Sequence, residues 1–162
     1  MTLGSHQTSI GKSQVHLTPR WLLDQLGPFD LDPCAATVRP WDCAAENYVE
    51  AIDGLAQPWK GLVWLNPPFD RRLIGRWLAK LAEHGQGIAL VHARTETAWF
   101  RQIWTGADLI LFLGHRVNFL RPDGSAQPAN SGAPIALAGY GEGANRLRNS
   151  DLPGTLVTEW AA

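Results

Sequence analysis

A chain of 162 residues, 45% hydrophobic and 18% charged, is long enough for one domain with a real core and short for two. A net charge of −1 excludes a uniformly basic nucleic-acid binder, and no apolar run approaches the ~20 residues that a membrane-spanning helix needs. The two cysteines, Cys34 and Cys43, form neither a metal-ligand pattern nor a disulfide framework, and the polar start lacks a signal-peptide core, which predicts a cytoplasmic protein with free thiols and no metal.

In chain order, residues 1–14 read as a flexible leader and residues 15–162 as a single domain. "TPRWLLDQLG" predicts a helix, with Thr18 as its cap, Pro19 in its first turn, Gly27 at its end, and Leu22, Leu23 and Leu26 on one face. "FDLD" predicts a short strand ending at Asp32-Pro33. Residues 33–58 show only weak periodicity. "GLVWL", 61–65, predicts a buried strand. Beyond it, Asp70 is placed to cap a helix with Leu73, Ile74, Trp77, Leu78 and Leu81 on one side, closed by Gly85 and Gly87. "IALVHA" is the next strand, "TETAWFRQIW" a short helix and "DLILFLG" a further strand. "HRVNFL" and "PIALAGY" flank the long loop "RPDGSAQPANSGA" and predict a hairpin.

This alternation predicts an α/β fold: a mostly parallel sheet with helices on both faces and a C-terminal antiparallel hairpin. Ligands of such sheets bind at the carboxyl ends of the strands. Asp32-Pro33 and "NPPF", 66–69, sit at such ends and can therefore face one crevice.

The second of these carries a definite chemistry. Asn66 offers a side-chain carbonyl, and Pro67 and Pro68 stiffen the backbone while removing two N–H donors. Acceptors then dominate the edge, and Phe69 adds a flat apolar face. The set suits a planar group bearing an NH2: Asn66 Oδ1 and a proline carbonyl each accept one amine hydrogen while the ring stacks on the plane. Drawing both hydrogens toward acceptors frees the nitrogen lone pair for attack without a charged base.

"NPPF" resembles the catalytic motif of S-adenosylmethionine-dependent amino-methyltransferases. "LTPRWLLDQL" is similar to the Thr-Pro helix of their adenine-N6 branch, and "DLDPCAA" to the first cofactor loop. "DGLAQPW", "NPPF", "ARTETAWF" and "GHRVNF" resemble, in order and spacing, the phage-type DNA N6-adenine methyltransferase family over roughly residues 15–140. Three residues depart from the family pattern: His16 stands where a Trp is usual, Phe69 replaces a Tyr, and the first loop lacks Gly-x-Gly. Only 33 residues (33 to 65) separate Asp32 from Asn66. That is room for about one βαβ step, so the resemblance implies a reduced Rossmann-like methyltransferase fold with a shallow adenosine pocket.

The resemblance implies methyl transfer from S-adenosylmethionine to adenine N6 of DNA, with the base flipped or single-stranded. An amino-methyltransferase for protein glutamine or RNA, and a non-catalytic binding relic, are the alternatives. It also implies roles. Thr18, with Pro19, would hold the cofactor carboxylate. Asp32 would hold its amino group, and Pro33 and Cys34 would line that pocket. Asp53 would accept from the adenine amine of the cofactor, with Leu55 packed on its ring, and Asn66 would touch the cofactor as well as the target amine. Glu46 or Glu50 would bind the ribose.

For DNA, Arg94 and Arg116 follow predicted strands on the active side, and Phe119 is a candidate second wall of the base pocket. His92 and His115 adjoin the same strands and are read as structural. Arg71, Arg72 and Arg76 are candidates for phosphate contact. The loop 121–134, with Arg121, Asp123, Gln127 and Asn130, is the one long segment available to read bases. So small a chain is also a candidate homodimer.

Overall fold

The computed structural model describes residues 16–128 and 131–160; the leader at 1–14 and Asn130 lie outside the described residues. Seven strands form one sheet in the order β2-β1-β3-β4-β6-β5-β7. They are β1 (Leu31–Asp32), β2 (Glu46–Asn47), β3 (Val63–Leu65), β4 (Gly87–His92), β5 (Leu109–Leu113), β6 (Ile135–Tyr140) and β7 (Gly154–Val157). β2, β1, β3 and β4 pair in parallel, while β6 runs antiparallel to both β4 and β5, and β7 antiparallel to β5. Two antiparallel steps restore direction, so β5 points the same way as β1 to β4. Five of the seven strands share one direction, and their carboxyl ends share one edge of the sheet.

Helices cover both faces. α1 (Arg20–Leu26) and α4 (Glu142–Arg148) close one face; Leu22, Leu23, Leu26, Ala144 and Leu147 pack there against Trp64, Ile88 and Leu137. α2 (Ile74–His84) and α3 (Arg101–Gly106) close the other; Ile74, Trp77, Leu78, Leu81 and Ile103 pack against Val63, Leu65, Val91 and Ile110. The Ile74, Trp77, Leu78, Leu81 stripe is the one its 3.6-residue spacing predicts. No helix among the described residues is long and apolar enough to cross a membrane.

Several boundaries differ from the sequence expectation for local physical reasons. Thr18 caps no helix: Pro19 is the N-cap residue of α1, and the Thr18 side chain turns to Asn66 instead. Asp70 does not cap α2 directly. Its Oδ1 accepts from Arg72 N at 2.8 Å, closing a turn over 70–73, and the helix starts only at Ile74. α3 starts at Arg101 rather than near Thr95, because Thr97 Oγ1 bonds Arg94 O and receives Phe100 N, holding 94–100 as turns.

The hairpin is also built differently. β6 pairs with β5, not with residues 115–120. That segment leaves the sheet, burying Val117 and Phe119 in the core on one sheet face and forming an isolated bridge from Leu120 to Leu17. Gly87, expected to close α2, instead opens β4; a Cβ there would come 2.5 Å from Val63 O, which suits the tight entry into the strand. α4 and β7 lie beyond the last element that the sequence pattern defined.

Candidate active site

The carboxyl edge gathers the loops that follow β1, β3, β4 and β5. At its centre is Asn66, the first residue after β3. Its Nδ2 donates to His16 O at 2.9 Å and to Thr18 Oγ1 at 3.3 Å. A backbone carbonyl can only accept, so this contact fixes which end of the amide is nitrogen. Oδ1 is left without a hydrogen-bond partner among the described residues. Asn66 O is held separately, by the Cys34 thiol donating at 3.1 Å. Both ends of the residue are thus pinned, one by the segment before α1 and one by the loop after β1.

That loop is built on Asp32, which is 4% exposed and accepts from Cys34 N at 3.1 Å. Burial pushes the Asp32 carboxyl up to about 7, against the smaller pull of its hydrogen bonds and of Arg39. Burial likewise raises the Cys34 and Cys43 thiols, with the neighbouring Asp32 as the next cause. Both thiols are free, protonated and poor nucleophiles.

The loop after the short 3₁₀ turn Glu50–Ile52 packs directly on this one. Asp53 adopts a left-handed conformation (φ 53°), and a Cβ on Gly54 would fall 1.9 Å from Pro33 O. Only glycine permits that approach. Leu55, half-buried, follows on the same loop. Lys80 of α2 ties it down: its Nζ donates to Leu55 O at 2.6 Å, Gln57 O at 2.5 Å and Gly54 O at 3.4 Å. The ammonium uses its three donors on three carbonyls and lies 5.2 Å over the Trp59 ring.

Past Asn66, Pro67 is buried, Pro68 exposed and Phe69 half-buried. Phe69 stacks on His92, with ring centroids 4.1 Å apart and planes 9° from parallel. His16 approaches Phe69 at 6.3 Å and Phe119 at 5.6 Å. Phe119 itself is only 3% exposed. It is a core residue that packs against His16, which leaves little of its ring for the base-pocket wall expected from its position.

The structure therefore brings together Thr18, Asp32, Pro33, Cys34, Asn66, Pro67 and Phe69, and joins to them the loop of Asp53 and Leu55. Other candidates stand apart. Glu46 pairs with Lys60, and these two, with Asp30, Ala45 and Gly61, line an open pocket of about 620 Å³ near the strands' amino ends. Glu50 is exposed beside Asp53. Arg71, Arg76 and Arg94 are exposed, while Arg72 is ion-paired with Asp70 at 2.9 Å and Arg116 donates to Ser131 O. His115 stacks obliquely on the exposed Trp21, 5.5 Å away. Arg121 and Asp123 are exposed, and Asp123 Oδ1 caps its own turn through Ser125 N. Gln127 turns inward and bonds His16 Nδ1 and Leu120 O, so it is engaged in structure. Among the described residues no cluster of His, Cys, Asp or Glu could hold a metal ion.

Three contributors escaped the sequence reading: His16 as a contact of Phe69, His92 as its stacking partner, and Lys80 as a loop clamp. For His92 a signal existed. β3 and β4 are adjacent parallel strands, so residues just past their ends must emerge side by side.

A model of the family described as DNA N-6-adenine-methyltransferase (Dam) matches residues 7–138. No curated protein and no solved structure matches the chain. The match runs from the segment before Thr18 to within β6 and so takes in every loop of the carboxyl edge. The chain belongs to the DNA N-6-adenine-methyltransferase (Dam) family and is an enzyme that transfers a methyl group from S-adenosylmethionine to adenine N6 in DNA.

Proposed function

We propose that Asn66 is the acceptor that activates the target amine. The observation that carries this reading is the orientation of its amide: with Nδ2 committed to His16 O and Thr18 Oγ1, Oδ1 is the end that no described residue engages. One adenine N6 hydrogen goes to Asn66 Oδ1 and the other to the Pro67 carbonyl. Both prolines keep competing N–H donors out of the edge. Phe69 stacks on the base, which leaves the duplex or arrives single-stranded, since no paired adenine can present both amine hydrogens to a recessed loop. Positioning supplies much of the rate, because well-aligned pairs reach effective molarities of ~10⁵ M or more.

When bound, S-adenosylmethionine supplies an electrophilic methyl on a sulfonium. The residues present fit its polar groups. Asp32 is a buried carboxyl with no ion-pair partner close enough to keep it ionised, which favours an incoming ammonium. Pro33 and Cys34 line that pocket. Thr18, its hydroxyl oxygen accepting from Asn66, keeps its proton to donate to a carboxylate. Asp53 and Leu55, on the loop clamped by Lys80, receive the adenine end, and exposed Glu50 is the remaining acid for the ribose. This is a reduced Rossmann-like arrangement, with a two-residue β2 and no full strand–helix step between β1 and β3. Arg71, Arg94 and Arg116, exposed on the segments that follow β3, β4 and β5, meet DNA phosphates.

Tritiated S-adenosylmethionine with DNA, RNA and a protein lysate, using wild type and Asn66→Ala, tests the reading. Label in DNA adenine that Asn66→Ala abolishes is expected. Label that persists in Asn66→Ala removes Asn66 from the chemistry, and label confined to RNA or protein overturns the substrate.

A further inference from the structure

Phe69 has no polar atom, so packing alone sets the plane of its ring. Phe69 rests on both core clusters and meets His16 at a tilt, but one residue lies flat against its face. His92, the last residue of β4, lies face to face with Phe69 at 4.1 Å and 9°. The register Leu65↔Ala89 places the loop leaving β3 beside the end of β4, so the contact follows from the sheet itself. The His92 ring makes no hydrogen bond to any described residue; stacking is its one specific interaction. Its titratable and charged neighbours are Arg94, two residues on, and His16 from the segment before α1, an imidazole whose charging burial itself disfavours. Burial first, then those two, push His92 down to about 4, so the imidazole is neutral at physiological pH.

We propose that His92 is a positioning residue: it covers one face of Phe69 and sets the plane of that ring, so that the opposite face receives the target adenine. The assignment rests on Phe69 being the base-stacking ring. Three neighbouring facts support it. The contact is parallel rather than edge-on, so it fixes tilt. The imidazole is uncharged, so it adds no positive charge beside a sulfonium. His92 ends a six-residue strand paired along its full length with β6, and so is itself rigidly placed.

The test measures steady-state methyl transfer to genomic DNA free of N6-methyladenine, with wild type, Asn66→Ala, His92→Ala, His92→Gln and His92→Phe. Cofactor Kd and melting temperature are measured alongside. The loss of one aromatic contact predicts a fall in kcat/KM for DNA of roughly threefold to tenfold in His92→Ala. His92→Gln, similar in size but without a ring, falls equally, and His92→Phe recovers to within about twofold. Cofactor Kd stays within about twofold in the three His92 variants, which a merely structural role would not allow.

Unchanged kcat/KM in both Ala and Gln variants overturns the proposal. So does a rise, which would mean that the imidazole occupies the base's own place and must leave it. An equal loss of cofactor affinity, or no recovery in His92→Phe, also overturns it. If Asn66→Ala is as active as wild type, the wider reading of the site fails, and the His92 assignment falls with it.

Discussion

The two halves of the sheet differ in length, pairing and use. β1, β2 and β3 are two or three residues long and pair in parallel. β4, β5 and β6 run for five or six residues and are zipped antiparallel along their length. Asp32, Cys34, Gly54, Asn66 and Phe69 all belong to the short-stranded half. It is held less by ladder hydrogen bonds than by cross-loop contacts: Cys34 to Asn66, Gly54 on Pro33, Lys80 to three carbonyls. The lesson is a division of labour. A parallel strand needs only enough residues to aim the loop at its end, whereas the antiparallel half carries the cooperative core.

The largest expected effect tests that division from the stable side. Leu137 is fully buried in β6. Leu137→Ala should cost about 2–5 kcal/mol in chemical denaturation through the cavity it leaves, while the folded fraction keeps its wild-type turnover. A turnover loss at temperatures where the variant is folded would break the comparison.

Asp32 sharpens it from the other side. Its folded carboxyl titrates near 7, well above its ordinary value of 3.8. Between these values the folded protein holds a proton that the unfolded chain has lost. The stability this gives is fully present below about pH 4 and is lost as pH rises to about 7, to a total of up to ~4 kcal/mol. Asp32→Asn should flatten that window in pH-dependent melting. In the wild type, cofactor affinity should strengthen from pH 5 to pH 7 with proton release, read by calorimetry in two buffers of different ionisation enthalpy.

A smaller effect comes from the clamp. Lys80→Met removes charge-assisted bonds to the loop of Asp53 and Leu55, and cofactor Kd should weaken roughly tenfold. Lys80→Arg should not restore it, because a planar fork cannot meet three carbonyls around one point.

These tests also mark what the sequence made legible. Asn66-Pro67-Pro68-Phe69 was readable because its chemistry is local: the prolines, the amide and the ring are four consecutive residues after an apolar run. The stripe of α2 and the cores of β3, β4 and β5 were readable from periodicity and length. The hairpin partner of β6 was not, because "HRVNFL" and "DLILFLG" are both apolar enough to pair and only tertiary packing decides between them. Thr18 looked like a cap because the sequence does not show that Asn66, 48 residues away, competes for its hydroxyl. Lys80 carried no signal at all; a lysine beside a helix stripe reads as solvated surface.

The smallest expected effect lies outside both halves. Arg71 is exposed and Arg72 is already held by Asp70, whose carboxyl that ion pair and hydrogen bonding lower to about 2. Arg71→Ala should reduce the log–log salt slope of DNA binding by about one, and Arg72→Ala by less, with melting temperature unchanged in both.

The orientation of the Asn66 amide is the claim on which the rest depends, and a single-turnover rate at saturating cofactor and DNA tests it most directly. Asn66→Ala should lower the rate constant for N6-methyladenine formation by at least about a hundredfold, in line with the loss of one preorganised polar group facing developing charge. A rate constant within a few-fold of wild type would contradict the account.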